Sequence, residues 1–228
     1  MFYRYSDPTF ILLIPAMIFA FYAQTKVSST FNKFLRIRNS NGYTGYEVAR
    51  RILDANGLNS VPIELVRGNL TDHYDPRTRV LRLSQEVYNG SSLASAGVAA
   101  HECGHAIQHS ESYAPLALRN AIAPIASIGS QASWFLILIA LVLNIAQLFT
   151  LGIYLFSAVV LFQIVTLPVE YNASNRAIIA LENYGLVGSS EVYGAKKVLS
   201  AAALTYVAAT IVAISQLLRL LIIRGRRD

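Results

Sequence analysis

Residues 120–169 read NAIAPIASIGSQASWFLILIALVLNIAQLFTLGIYLFSAVVLFQIVTLPV, fifty consecutive positions without Asp, Glu, Lys or Arg. A helix needs about 20 apolar residues to cross the hydrocarbon of a bilayer. The run therefore holds two crossings joined by a tight turn, placed around Asn144, Gln147 and Thr150, the polar positions near its middle. Two shorter uncharged runs lie outside it, Pro8 to Thr25 with 18 residues and Val198 to Leu218 with 21. Each has the length of one crossing. The expectation is four transmembrane helices, at about 8–25, 121–145, 148–168 and 199–223.

The rest of the composition agrees. Of the 228 residues, 54% are hydrophobic and 14% charged, against about 25% charged in a soluble domain. Mean hydropathy is +0.43. This excludes a disordered chain and an ordinary soluble globule. The net charge of +6 on so apolar a chain marks membrane-flanking loops, so the expected partner is the lipid bilayer and not nucleic acid. The single cysteine, Cys103, excludes an intramolecular disulfide framework. Pro15 interrupts the first run and Ala23-Gln24-Thr25 is a poor cleavage site, so that run reads as a retained anchor, not a signal peptide.

Four crossings put both termini on one side and bring 26–120 and 169–198 together on the other. The latter side carries eight basic residues near the span ends, Lys26, Lys33, Arg36, Arg38, Arg119, Arg176, Lys196 and Lys197. The terminal side carries five, Arg4, Arg219, Arg224, Arg226 and Arg227, which favours a cytoplasmic loop side. The divisions are an anchor at 1–25, a membrane-proximal catalytic segment at 26–120, a transmembrane hairpin at 121–168, a polar helix and connection at 169–198, and a last span with a basic tail at 199–228.

Residues 26–41 are basic with scattered apolar positions and read either as a helix lying at the headgroups or as a solvated linker. Thr44 and Glu47 make a capping-box pattern ahead of Val48, Ala49, Ile52 and Leu53, and Asn56-Gly57 ends that helix. Val61 to Val66 and Arg79 to Leu83 read as strands, with a turn at Asp75-Pro76. Ser92 caps a helix running from about 93 to 110.

That helix contains all the letters of HExxH: His101, Glu102 and His105. Imidazoles at i and i+4 stand one above the other on one helix face and can share one tetrahedral zinc. Glu102 is offset beside the metal, placed to take a proton from its bound water. The competing reading is a pair of histidines on an amphipathic helix. Against it stand the small residues before the motif, Ala94, Ala96, Gly97, Ala99 and Ala100, which permit close packing against a neighbour. A metzincin would continue with Gly and His where this chain has Gln108 and Glu111. His109 lies too far along to close the site. The third ligand must come from another element. Glu170 is the best candidate, just after Pro168 at the expected membrane exit and on the same side as His101; Glu182 and Glu191 are later alternatives.

Residues 69–110, 168–178 (PVEYNASNRAI) and 42–53 (GYTGYEVARRIL) resemble the YugP-type neutral zinc metallopeptidase family, and more distantly the HtpX and CAAX-prenyl endopeptidases. The resemblance implies a membrane gluzincin with a zincin-like α+β catalytic domain, a small sheet beside the HExxH helix. It implies Zn2+ held by His101, His105 and Glu170, Glu102 as general base, and a location in the bacterial cell membrane. Where the related pattern often has Asp, this chain has Ser174, at the position of a residue supporting a ligand.

The expected activity is hydrolysis of membrane proteins or membrane-proximal peptides. Oxyanion donors are sought among Arg176, which is preferred, His73, Tyr74 and Tyr184. Cys103 reads as a small packing residue. The strand at Arg79–Leu83 reads either as an edge for an extended substrate or as purely structural. The competing class is a non-catalytic membrane scaffold with a structural metal site, which would need ligands but no base. A transporter would place charges within its spans, and the three runs have none. The chain's letters assign no oligomeric state.

Overall fold

The computed structural model describes residues 8–225; Arg4, Arg226 and Arg227, counted above, lie outside the described residues. After a short 3-10 turn (Pro8–Leu12) come α1 (Leu13–Leu35), α2 (Gly45–Ala55), β1 (Ile63–Val66), β2 (His73–Asp75), β3 (Val80–Ser84) and α3 (Gln85–Tyr88). Then follow α4 (Leu93–Ser110), α5 (Ala114–Leu143), α6 (Ala146–Asn183) and α7 (Val192–Gly225). The protein is mostly α-helical with one small sheet. Four of its helical stretches, Pro8–Leu35, Ala114–Leu143, Ala146–Asn183 and Val192–Gly225, are long and apolar enough to cross a membrane. The chain divides into two compact units.

Among the described residues, one unit takes 8–23, 118–167 and 205–225. Its core joins Ile137 and Ala140 of α5, Phe149, Ile153, Phe156 and Val160 of α6, and Ala213 and Leu220 of α7. Gly152 lets α5 and α6 approach closely, since a Cβ there would stand 2.6 Å from Ile137 Cγ1; small residues drive such packing where lipid removes any hydrophobic gain. Large apolar side chains face outward: Phe21 is 75% exposed and Val142 74%. Water penalises such a surface and hydrocarbon does not.

Three sequence expectations change here. The α5–α6 connection is only Asn144 and Ile145, with Asn144 at φ 55°; Gln147 and Thr150 are inside α6, where Thr150 bonds its hydroxyl to the Ala146 carbonyl. Pro168 does not end a helix but sits inside α6. Proline removes one rung of the ladder, and the remaining rungs carry the helix on to Asn183. Residues 26–35 are neither a separate surface helix nor a linker: they continue α1, because no Gly or Pro intervenes between Ala16 and Leu35.

The second unit takes 24–117 and 168–204. Thr44 and Glu47 form the capping box that starts α2. The sheet order is β1-β3-β2. β1 runs parallel to β3, with Ile63 opposite Leu81, and β2 antiparallel, with Tyr74 opposite Leu81. β3 is thus the central strand with both edges paired, which removes it as a substrate edge. Arg82 reaches Glu64 of β1 at 3.1 Å and Asp75 of β2 at 3.2 Å, tying the three strands together. Leu81 and Leu83 of β3, Val48, Ile52 and Leu53 of α2, Ala96, Ala99, Ala100, Cys103 and Ala106 of α4 and Leu181 of α6 fill one core. Burying each large aliphatic side chain contributes about 1.5–3 kcal/mol. The core holds α4 with one face toward the sheet and another toward α6.

Candidate metal centre

Ser92 starts α4 by accepting the Ser95 N–H at 3.0 Å. The helix then runs through Leu93–Ser110, as its cap and spacing predict. Its small residues set how near its neighbours come. Gly97 lies against Ala195 of α7, and Gly104 lies against α6, where a Cβ would stand 2.5 Å from the Ala173 carbonyl oxygen. On α6, Glu170, Ala173, Ser174 and Ala177 follow at i, i+3, i+4 and i+7, one helix face. Ala173 and Ala177 are fully buried and Glu170 is 3% exposed.

Close packing converts these spacings into a site. Glu170 Oε2 lies 3.2 Å from His101 Nε2 and 3.5 Å from His105 Nε2. One ligand atom from each of the three lies within 4.8 Å of the others. A tetrahedral ion with bonds of roughly 2.0–2.1 Å has ligands about 3.3 Å apart. The separations from Glu170 are therefore those of ligands on one small ion, and two imidazoles with a carboxylate suit zinc.

The remaining imidazole nitrogens are also committed. Gln108, fully buried, donates its amide N–H to the Val169 carbonyl at 2.8 Å and to Asn172 Oδ1 at 2.9 Å. A carbonyl only accepts, so the amide is oriented with Oε1 toward His105 Nδ1, 3.1 Å away. His105 then carries its proton on Nδ1 and leaves the Nε2 lone pair facing Glu170, free for an ion. Ser174 Oγ lies 3.1 Å from His101 Nδ1, within hydrogen-bond reach of the first histidine.

Glu102 does not join the cluster. Its carboxylate accepts the backbone N–H of Tyr74 at 3.0 Å, which fixes it from β2. The Tyr74 hydroxyl lies 2.9 Å from His109 Nδ1, and burial raises the pKa of that phenol. Asp72 accepts from the backbone and hydroxyl of Ser84 at 2.7 and 3.0 Å and so anchors the start of β2. Burial raises the Asp72 pKa and the nearby Glu102 charge adds to the rise, against those two bonds.

The other sequence candidates lie elsewhere. Arg176 donates to Asn172 Oδ1 at 2.7 Å and to Glu111 Oε2 at 2.6 Å. His73 is exposed on β2, with Nδ1 donating to the Thr71 carbonyl at 2.8 Å. Tyr184 is 43% exposed and accepts a long bond from Asn56. Among the described residues none of these three bonds to His101, Glu102, His105 or Glu170. Glu191 clasps the Ser40 and Gly188 backbone at 3.0 and 2.7 Å, and Glu182 is exposed. Cys103 is buried with its thiol pushed well above the usual range by desolvation, and it donates to the Ala49 carbonyl of α2, outside the His101–His105–Glu170 cluster.

Sequence reading missed Gln108 and β2. Gln108 was visible only as the residue that breaks the metzincin pattern; its signal was a lone amide three residues after His105. β2 has three residues, too few for alternation to register.

The comparisons with known proteins point to the same metal. The family described as "Putative neutral zinc metallopeptidase" matches residues 9–225. The "Putative membrane protease YugP" of Bacillus subtilis (strain 168) is 52% identical over 212 residues, covering 93% of this chain and 94% of that protein. No solved structure matches.

Proposed function

Since the chain belongs to that neutral zinc metallopeptidase family, we propose that it is a multi-pass membrane gluzincin that cleaves peptide bonds in membrane proteins or in peptides at the bilayer. The observation that carries this reading is the convergence of His101, His105 and Glu170 with a separately anchored Glu102 beside them. His101, His105 and Glu170 hold the zinc. When bound, the ion acts as a Lewis acid and lowers the pKa of a water toward about 7. Glu102 takes a proton from the attacking water and later returns it to the departing amine. The Tyr74 N–H holds that carboxylate in place through both transfers. Gln108 keeps the His105 imidazole in the Nδ1–H form. A purely structural metal site would leave the anchored Glu102 without a task.

The loop side is read as cytoplasmic from its excess of Lys and Arg, and the bacterial cell membrane as the location from the name of the Bacillus relative. The proposal is tested with the purified full chain in liposomes, by following hydrolysis of an unfolded protein substrate. Stripping the protein with a chelator should abolish cleavage and stoichiometric zinc should restore it. Cleavage that persists after zinc has been shown to be gone would overturn the proposal.

A further inference from the structure

The chain has four lysines, Lys26, Lys33, Lys196 and Lys197. Three of them, Lys26, Lys33 and Lys197, line one cavity of about 560 Å³ formed by the last turns of α1 and the first turns of α7. No Asp or Glu lines it. Among the described residues none of the three lysines makes an ion pair. Like charges gathered around one concavity repel, and a bound anion relieves the repulsion.

The remaining lining has the chemistry of a phosphate site. Thr30 and Ser200 add hydroxyls that can donate to phosphate oxygens. Lys197 Nζ stands 5.0 Å from the Tyr193 ring centre and Lys33 Nζ 5.6 Å from that of Phe34. Cation–π attraction of this kind holds an ammonium group while leaving its N–H donors for a ligand.

The place of the cavity in the sequence says what carries the phosphate. Lys26 is the first charge after the uncharged run that ends at Thr25, and Lys197 is the last charge before the run that begins at Val198. The lysines therefore stand where two spans leave the hydrocarbon, at headgroup depth. Ala201 and Leu204, on the same wall as Lys197, already belong to the apolar run. A ligand that fits is charged at one end and apolar at the other.

We propose that this cavity binds the phosphate of an anionic phospholipid, with an acyl chain along Ala201 and Leu204. The lipid bridges α1 and α7. It also bears on the fold around α4, because Gly194 at the start of α7 packs against Leu93 of α4 and Phe34 of α1, and a Cβ there would approach each within 3 Å. The inference is independent of the peptidase reading and stands or falls without any measurement of hydrolysis.

The test uses the full chain in a neutral detergent, with native mass spectrometry counting bound phosphatidylglycerol, phosphatidylcholine or inorganic phosphate. Phosphatidylglycerol should bind in preference to phosphatidylcholine, and inorganic phosphate at millimolar concentration should not displace it. The variant Lys26→Gln, Lys33→Gln, Lys197→Gln should lose about a hundredfold in phosphatidylglycerol affinity, as roughly fivefold per lysine implies. The control Arg36→Gln, Lys196→Gln removes basic residues that do not line the cavity and should bind like the parent. Circular dichroism and zinc content should match the parent in both variants. Parental binding by the triple variant would overturn the proposal, and so would equal losses in the control. Displacement by inorganic phosphate would assign the cavity to a soluble phosphate and overturn the lipid reading.

Discussion

Replacing Gln108 by Leu keeps most of its bulk and removes three hydrogen bonds, to His105, Val169 and Asn172. Each buried polar group left without a partner costs about 1–3 kcal/mol, and loss of a group that orients a metal ligand weakens metal binding about 10–100-fold. Gln108→Leu should therefore melt at a lower temperature and release zinc to a chromogenic chelator at correspondingly lower competitor concentration. Parental zinc affinity would show that the amide does not orient His105. The residues of this site differ in how far the sequence exposes them. His101, Glu102 and His105 were legible because helical spacing alone puts two imidazoles on one face. Glu170 was legible through span parity, which returns the chain to the same side 69 positions after His101, and through the family resemblance. Gln108 was not, because its role depends on where α6 lies. Arg176, preferred in the sequence as an oxyanion donor, pairs in the fold with Glu111, a partner the sequence did not mark.

At the scale of elements, the approach of α6 to α4 decides whether Glu170 reaches the histidines. Gly104 and Gly97 are both helical glycines in α4, so alanine raises helix propensity by up to about 1 kcal/mol at either. They differ in space. At Gly97 the nearest atoms to a new Cβ are 3.5 Å or more away, ordinary contact, whereas at Gly104 the Ala173 carbonyl oxygen would be at 2.5 Å. Gly97→Ala should leave thermal stability unchanged or slightly raised. Gly104→Ala should lose about 1–3 kcal/mol from overpacking and bind less zinc, because α6 must move outward and takes Glu170 with it. Calorimetry and metal analysis of the two variants side by side check this, and equal behaviour would refute the close-packing account. Elements were legible where local chemistry marks both ends: α2 by its capping box, α4 by Ser92. They were misread where tertiary support outweighs a local signal. Pro168 carries the strongest helix-breaking letter in the chain and lies within α6, whose apolar half packs on α5 and α7 and whose polar half packs on α4. The α5–α6 turn is two residues because Asn144 adopts a positive φ, a conformation asparagine tolerates better than most residues, so the later polar positions were not needed.

For the whole molecule, four crossings imply that positions 60 and 189 share a side and position 225 lies on the other. In sealed vesicles, impermeant thiol labelling should reach Ser60→Cys and Ser189→Cys from one face and Gly225→Cys only from the opposite face. Cys103 is fully buried and stays silent. Labelling of all three from one face would contradict the four-span reading. The proposed hydrolysis needs the assembled chain, since helices far apart in sequence would supply the three ligands and the strand β2 holds Glu102, the proposed base. Glu102→Gln isolates it: the shape is kept, the three metal-binding side chains are untouched, and the proton acceptor is gone. General-base assistance contributes about 10²–10⁴-fold in rate. The most direct test is therefore the cleavage rate of Glu102→Gln in liposomes, measured at the same zinc content and thermal stability as the parent. A fall of at least about a hundredfold with one zinc still bound per chain is the predicted result, and cleavage at the parental rate would contradict the account.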